Sequence, residues 1–391
     1  MGASPAASKT DGALSRLELA ACLTLGVIGV YATSFGPAMP VLAEDFGVSL
    51  DTAGILLTVL FVGGVLASGS VAARLHRADP RVFTAAGLGM LAAGMAGFGL
   101  APSWEVALPS AAVGGFGGGL MDAGAHTIVT RVSADVARGV NRLNVCFAAG
   151  AIAGPLWSGG VLAADAEARP VVYLVIAALA LGVAAVVATS RLPAEHAASP
   201  QAEETFFAGM TPLVWAMGLV LFLYVGAEFG LGSWVATYAD EEFEAGIFLG
   251  GVITAGYWGA LMAGRLVSGW LFGRGVPAGT VLIGSIAAGT ATSAAIAAAN
   301  ESFVLASVAA FATGLAFGPI WPAAMAIAAS GRASAAPAAM VTIGNSGGFV
   351  FPWLQGRLLV SEGATTGIAL SAVLCLAMLA VAWRAGRPAQ T

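Results

Sequence analysis

Residues 106–129 read VALPSAAVGGFGGGLMDAGAHTIV, an apolar run that contains a single carboxylic acid, Asp122. A run of about 20 apolar residues is long enough to cross the hydrocarbon core of a bilayer as a helix. A charged side chain at the centre of such a helix costs about 2.5–3.5 kcal/mol on insertion scales, and membrane proteins keep these groups mainly where they bind or relay something. A second acid, Glu228, lies in a similar run over residues 219–238. The sequence therefore predicts a membrane-spanning protein with one functional acid in each half.

The composition indicates that most of the surface faces lipid. Apolar residues make up 58% of the chain and charged residues only 9%, against about 25% charged residues in a typical globular domain. The 54 glycines allow neighbouring transmembrane helices to approach closely. The net charge of −5 argues against nucleic acid as a partner. The three cysteines lie in apolar runs without metal-ligand spacing, so we expect no disulfide, no metal site and no cofactor.

The distribution of apolar runs predicts an all-α membrane protein with twelve transmembrane helices. Several runs adjoin one another, so ten or eleven helices is an alternative. The first run is too long for a cleavable signal sequence and is interpreted as a retained span. The predicted spans are residues 17–42, 52–75, 82–101, 106–130, 141–163, 170–190, 212–238, 246–272, 277–298, 302–329, 335–360 and 364–384.

The placement of basic residues supports an even number of spans. With both termini in the cytoplasm, all 16 Lys and Arg residues except Arg169 and Arg357 fall on the cytoplasmic side. This asymmetry is the one that the positive-inside rule requires. An odd number of spans would disrupt it. We therefore expect a multi-pass protein of the cytoplasmic membrane with both termini inside the cell.

The longest polar stretch, residues 193–209, divides the chain near its middle. The two halves resemble each other at an offset close to half of the chain length, as in residues 155–157 (PLW) and 352–353 (PW). A shared offset of this kind indicates a parallel repeat of six helices. The predicted segments are a cytoplasmic tail (1–16), an N-terminal bundle (17–190), a cytoplasmic linker (191–211), a C-terminal bundle (212–384) and a C-terminal tail (385–391).

With this repeat, the chain resembles the major facilitator superfamily over essentially its whole length. Residues 224–234 (YVGAEFGLGSW) and 256–265 (GYWGALMAGR) are similar to the seventh and eighth helices of the branch that contains the fucose–proton symporter and sodium–glucose-transporter-like proteins. The resemblance implies two pseudo-symmetric six-helix bundles around a central cavity that opens alternately to each side. It also implies that the first, fourth, seventh and tenth helices line this cavity, which places Asp122 and Glu228 on lining helices.

The basic loop motif of the family, between the second and third helices, is degenerate in residues 69–77 (GSVAARLHR). The aspartate of that motif is missing unless Asp79 substitutes for it. Arg74 and Arg77 in this region, together with Arg265 on the eighth helix, are predicted gating or structural residues. Arg265 lies too deep for a loop residue, and we expect it to form a structural pair near the cytoplasmic mouth.

Asp122 and His126 are four residues apart and therefore share one face of a helix. A carboxylate beside an imidazole can share a proton with it or form an ion pair, so these two residues and Glu228 are the predicted proton-coupling residues. The alternative is a static polar pair that fixes two helices. The glycines that flank Glu228 are expected to leave space for a ligand. The alternative for these glycines is close packing.

Aromatic rings and amides on the predicted cavity helices are candidates for substrate binding. A sugar presents an apolar face that stacks on a ring, and hydroxyls that need hydrogen-bond partners. Trp and Tyr also form belts at membrane interfaces, which is the alternative for each aromatic residue. The prolines on both sides of Trp321 are expected to disturb the tenth helix. The predicted substrate-binding residues are Tyr31, Asn144, Tyr224, Tyr257, Trp321 and Asn345.

The sequence carries no enzyme signature. The glycine-rich residues 114–119 lie inside a span and lack the Lys-Ser/Thr of a nucleotide-binding loop, so ATP-driven transport is not expected. The predicted function is secondary active transport by alternating access.

The leading hypothesis is proton-coupled uptake of a small polar solute, a sugar. Asp122 would be the protonation site, and Glu228 either a second one or a hydroxyl acceptor. Efflux antiport of amphipathic compounds, sodium coupling, and a non-transporting scaffold or sensor are the alternatives. The expected partners are the solute, protons and the lipid bilayer, and the protein is expected to be a monomer.

Overall fold

The computed structural model describes residues 15–75, 79–133, 135–191, 210–299, 302–329 and 336–385. Within these ranges the chain is almost entirely helical and contains no β-strand. The helices are α1 (Arg16–Thr33), α2 (Phe35–Asp45), α3 (Leu50–Ala53), α4 (Ile55–Leu75), α5 (Pro80–Gly99), α6 (Trp104–Val132), α7 (Val136–Ala164), α8 (Arg169–Thr189), α9 (Pro212–Phe243), α10 (Gly246–Gly273), α11 (Ala278–Ala297), α12 (Phe303–Phe317), α13 (Ile320–Ala329), α14 (Ala336–Glu362) and α15 (Ala364–Ala385).

The first, second and tenth predicted spans each consist of two successive helices: α1 with α2, α3 with α4, and α12 with α13. The junctions stay in the right-handed helical region, with φ −68° and ψ −20° at Ser34, and φ −49° and ψ −45° at Gly318. Pro37 and Pro322 follow these junctions and lack the N–H that would bond to the carbonyl four residues earlier. The regular hydrogen bonding is therefore interrupted, and the disturbance expected beside Trp321 is present.

Ten of the described stretches are long and apolar enough to cross a membrane. The two other long helices, α6 with 29 residues and α14 with 27, are rich in glycine and carry Asp122 and Asn345. Their weaker apolar character suits helices that face an interior rather than lipid. The helices together are consistent with twelve spans. Their limits agree closely with those of the predicted spans; for example, the predicted span 106–130 corresponds to α6, Trp104–Val132. The sidedness of the termini stays a prediction.

Helices α1–α8 and α9–α15 form two bundles that pack mainly within themselves. Glycines let the backbones touch at several crossings. A Cβ atom at Gly150 would lie 2.0 Å from the carbonyl oxygen of Gly26, and one at Gly347 would lie 1.8 Å from that of Phe222. The predicted linker, residues 191–211, lies mostly outside the described ranges, so the domain limits also stay predictions.

The two bundles meet through α7 and α10 on one side and through α4 and α14 on the other. We call the end where α8 finishes and α9 begins the linker end, and the opposite end the far end. Near the middle of α14, the Thr58 hydroxyl of α4 donates to the carbonyl oxygen of Phe349 at 2.7 Å. Closer to the far end, Arg357 Nη1 lies 3.7 Å from Asp51 Oδ2. These contacts join the bundles from the middle of the span to the far end.

The contact between α7 and α10 also lies toward the far end. A Cβ atom at Gly251 would lie 2.7 Å from the carbonyl oxygen of Pro155, and one at Gly159 would lie 3.2 Å from Gly251 Cα. The described structure is therefore closed at the far end. The predicted topology, in which the linker end is cytoplasmic, places this closed end on the outer side of the membrane.

Candidate functional site

The acid–imidazole pair predicted on α6 is present. His126 Nδ1 lies 3.4 Å from Asp122 Oδ1 and 3.0 Å from the Asp122 carbonyl oxygen. The two side chains are 41% and 44% exposed, respectively. The carboxylate is therefore beside the ring and partly exposed at the same time.

The exposed face of Asp122 points to the interior of the molecule. One turn earlier on α6, a Cβ atom at Gly118 would lie 3.3 Å from the Tyr31 ring of α1, and one at Gly119 would lie 2.2 Å from the carbonyl oxygen of Gly64 on α4. Residues three and four positions apart share a face of a helix. Asp122 therefore lies on the face of α6 that packs beside α1 and α4 within the N-terminal bundle.

The acid on α9, Glu228, has a different environment. Its side chain is only 4% exposed, and its Oε1 atom lies 3.2 Å from Nη2 of Arg265, which is 23% exposed. The hydroxyl of Tyr224 donates to the same oxygen at 2.9 Å, and the hydroxyl of Tyr257 donates to the backbone carbonyl of Glu228 at 3.0 Å. Glu228 is thus a buried carboxylate whose charge is matched by an arginine of α10.

The glycines beside Glu228 do not leave the open space that was expected of them. A Cβ atom at Gly226, Gly230 or Gly232 would lie 2.2–2.7 Å from a neighbouring side chain. The neighbours are, in that order, Phe351, Gln355 and Trp258. The glycines therefore serve close packing, because larger residues from α14 and α10 fill the space that they provide.

Three of the predicted substrate-binding aromatics gather around Glu228. Tyr224 and Tyr257 are fully buried, whereas Trp321 is half-buried, with its ring centroid 6.4 Å from that of Tyr224. A Cβ atom at Gly344, next to Asn345, would lie 3.4 Å from the Trp321 ring. Of these three rings only that of Trp321 is partly exposed, so the C-terminal bundle presents one accessible aromatic ring above two buried ones.

The remaining predicted residues lie apart from this cluster. Tyr31 is buried in the N-terminal bundle, edge-on to Phe35 at a centroid distance of 6.2 Å. The amide of Asn144 donates to the carbonyl of Val140 within its own helix at 3.1 Å. Arg77 and the side chain of Arg74 lie outside the described part of the chain.

Two polar residues beside Glu228 were not predicted. Among the described residues, Trp258 Nε1 and Gln355 Nε2 are buried without a hydrogen-bond partner, as is Nε of Arg265. Gln355 is a polar residue at membrane depth, which is a signal that could have singled it out. The position of Trp258 could not be predicted, because it depends on how α10 packs against α9.

The Major Facilitator Superfamily sequence profile matches residues 21–352 of this protein. The chain belongs to that superfamily. It is therefore a multi-pass membrane transporter rather than an enzyme, and its substrate is a small molecule. No curated protein matches the chain.

Solved structures of major facilitators match almost the whole chain. A bacterial homologue of the human lysosomal transporter Spinster, in an inward-facing and unoccupied conformation, has 14% identity and a TM-score of 0.75, covering 94% of this chain and 96% of its own. The nucleoside transporter NupG has 14% identity and a TM-score of 0.73, covering 95% and 99%. The Escherichia coli fucose–proton symporter FucP has 17% identity and a TM-score of 0.66, covering 96% and 100%. At these identities the likeness shows the fold alone.

In this major facilitator the two bundles contribute different chemistry. The N-terminal bundle offers a solvent-exposed acid–imidazole pair on its fourth span, and the C-terminal bundle offers a sealed ion pair with aromatic rings. The sequence repeat also aligns Gly119 with Gly318, which places Trp321 close to the position that corresponds to Asp122. An ionisable group and an aromatic ring therefore occupy related places in the two halves.

Proposed function

We propose that this transporter takes up a small polar solute, a sugar, across the cytoplasmic membrane together with protons, and that Asp122 is the protonation site. The observation that carries the proposal is the contrast between the two acids. Asp122 is 44% exposed beside His126, whereas Glu228 is 4% exposed and paired with Arg265. A coupling group must exchange protons with water in one state, and the surroundings of Asp122 permit this exchange.

The coupling follows from the need to enclose Asp122. To present the site to the far side, the bundles must separate at the far end and close at the linker end. Enclosing an unpaired carboxylate away from water is strongly unfavourable, and protonation removes that penalty. His126 lies close enough to receive or deliver the proton. The two conformations then differ in proton affinity, as any coupling requires.

Glu228 is better suited to organise the substrate site than to carry the proton. Arg265 lies close enough to balance its charge, and the two side chains join α9 to α10. The exposed part of Arg265 offers hydrogen-bond donors to hydroxyl groups, and the half-buried ring of Trp321 offers an apolar stacking face. Donors beside a ring suit the two faces of a sugar better than they suit an amphipathic drug.

The first experiment identifies the ligand. Thermal-shift measurements on the purified protein would compare sugars, organic acids and amphipathic drugs, since a ligand that binds only the folded state raises the melting temperature. A compound that raises the melting temperature is then added to proteoliposomes that contain the protein. Alkalinisation outside right-side-out vesicles supports symport, and proton movement in the opposite direction supports antiport. Flux that follows a sodium gradient supports sodium coupling, and absence of flux with every ligand supports a scaffold.

The second experiment tests Asp122. Asp122→Asn should lose accumulation of the solute against its gradient, while equilibrium exchange stays within about twofold, because the neutral side chain mimics the protonated state. Asp165→Asn, at an exposed acid beyond the far end of α7, is the matched control and should retain accumulation. Accumulation by Asp122→Asn at the normal level would exclude Asp122 as the coupling group.

A further inference from the structure

A groove lies on the C-terminal bundle, and its described lining includes neither Glu228 nor Arg265. It is formed by α9, α14 and α15 at the linker end and has a volume of about 840 Å³. Its lining includes Pro212, Trp215, Leu219, Phe222, Val381 and Arg384. The groove is therefore apolar along most of its length and has a cation at one end.

The length of the groove matches one leaflet of a bilayer. Pro212 is the first residue of α9, and Phe222 lies ten residues further into the span. At 1.5 Å per residue this is about 15 Å, which is half of the hydrocarbon thickness of about 30 Å. A single acyl chain that enters from the linker-end interface would therefore reach from Pro212 to Phe222.

The charge of the groove lies at its mouth. Arg384 is exposed in the last turn of α15, and it forms no ion pair among the residues that the structure describes. None of the described residues that line the groove is acidic. Trp215 is 47% exposed one turn into α9, at the level where tryptophans meet lipid head groups. This end of the groove is therefore built for an anionic head group.

We propose that the groove binds an anionic phospholipid, with an acyl chain along α9 and the phosphate on Arg384. Basic pockets between transmembrane helices recognise anionic head groups in this way, and a guanidinium matches the geometry of phosphate oxygens. Arg384 makes the groove selective for anionic over neutral phospholipids, because the apolar part of the groove accepts the acyl chains of both equally.

Native mass spectrometry of the purified full-length protein tests this proposal. Phosphatidylglycerol and phosphatidylcholine with identical chains are added at equal concentrations. Phosphatidylglycerol should bind more tightly, and Arg384→Gln should weaken its binding roughly fivefold, since a basic residue near the surface contributes on this scale. Phosphatidylcholine should lose less, because its choline cation already offsets the charge of its phosphate. Arg384→Lys should preserve most of the preference because it keeps the charge.

The control uses another arginine of the same bundle and the same end. Arg274 stacks on Trp270 at 3.8 Å and lies outside the groove, so Arg274→Gln should leave lipid binding unchanged. Ala216→Phe, which fills the groove, should weaken both lipids. Equal binding of the two lipids by the natural protein, equal effects of Arg384→Gln and Arg274→Gln, or a bound mass equal to a second protein copy would each overturn the proposal.

Discussion

The carboxylate of Glu228 on α9 lies 3.2 Å from Nη2 of Arg265 on α10, a residue 37 positions further along the chain. The pair joins two neighbouring helices inside the C-terminal bundle and leaves no net charge there. Tyr224 adds a hydrogen bond to the same carboxylate oxygen. The arrangement is held by several groups at once, so the removal of one member should affect the others.

The two members of this pair should respond differently to substitution. Arg265→Leu leaves a carboxylate that is 4% exposed without its cation, whereas Glu228→Gln leaves an arginine that is 23% exposed and able to reach water. Breaking a buried ion pair costs about 3–5 kcal/mol. We expect the loss of unfolding free energy to fall within this range for Arg265→Leu and below it for Glu228→Gln. Thermal or denaturant unfolding in detergent measures both losses.

The double variant supplies the control for this prediction. Glu228→Gln combined with Arg265→Leu removes both charges, so it should be more stable than Arg265→Leu alone. Strictly additive losses would mean that the two residues stabilise the protein independently.

Closure at the far end should depend on the small residues between α7 and α10. In Gly251→Leu, the new side chain would meet the carbonyl oxygen of Pro155, 2.7 Å from the Cβ position. We expect the far end to open, with longer distances between spin labels on cysteines introduced at Ser49 and Glu362. Gly256→Leu on the same helix is the control, because nothing lies within 4 Å of its Cβ position. Unchanged distances in Gly251→Leu would contradict the closed far end.

Arg169 should be a stability determinant of the N-terminal bundle. Its Nη1 and Nη2 atoms donate to the carbonyl oxygens of Phe98 at 2.8 Å and Ala101 at 2.9 Å. Its Nε atom lies 2.5 Å from Asp45 Oδ2, and the guanidinium stacks 4.2 Å above the Phe46 ring. Lysine cannot reproduce this fork of donors. We expect Arg169→Lys to lower the free energy of unfolding by about 2 kcal/mol and Arg169→Ala by about 3 kcal/mol.

These losses are again measured by unfolding in detergent. They are compared with the loss caused by removing one member of a surface ion pair. Arg138 is 80% exposed and pairs with Asp135 three residues away. Arg138→Ala should change the unfolding free energy by less than about 1 kcal/mol, as is usual for exposed pairs. If Arg169→Ala has no larger effect than this control, then the contacts of Arg169 do not stabilise the bundle.

Asp79, which precedes α5 outside the membrane spans, should make a pH-dependent contribution to the stability of the folded protein. Its carboxylate accepts hydrogen bonds from the backbone and side chain of Arg81, and this guanidinium lowers the pKa of Asp79. Because the pKa is lower in the folded state, the stabilisation is present above the unfolded value of about 3.9 and is lost as the pH falls through the folded value. Asp79→Asn keeps a good helix cap and removes only the charge.

We therefore expect Asp79→Asn to unfold about 0.5–1 kcal/mol more easily than the natural protein at pH 7. The difference should shrink below about pH 4, since protonation then removes the same charge from the natural protein. Melting curves at pH 7, 5, 4 and 3 provide the comparison. A difference that is constant over this range would show that the charge of Asp79 has no part in stability.

The sequence by itself determined the membrane class, the helical architecture, the repeat and the place of the acid–imidazole pair. Each of these features depends on local properties. Continuous apolar runs of membrane length form helices, because a single span can satisfy its own backbone groups inside lipid only as a helix. Asp122 and His126 are neighbours in any helix because four residues make roughly one turn.

Only the tertiary structure decided that Asp122 is exposed and that Glu228 is buried. Glu228 and Asp122 look alike in sequence, yet Arg265 reaches Glu228 from another helix and side chains from α10 and α14 fill the space beside its glycines. These contacts depend on the rotation and depth at which helices pack, and a hydrophobic run specifies neither of them because nearly every face of it is apolar.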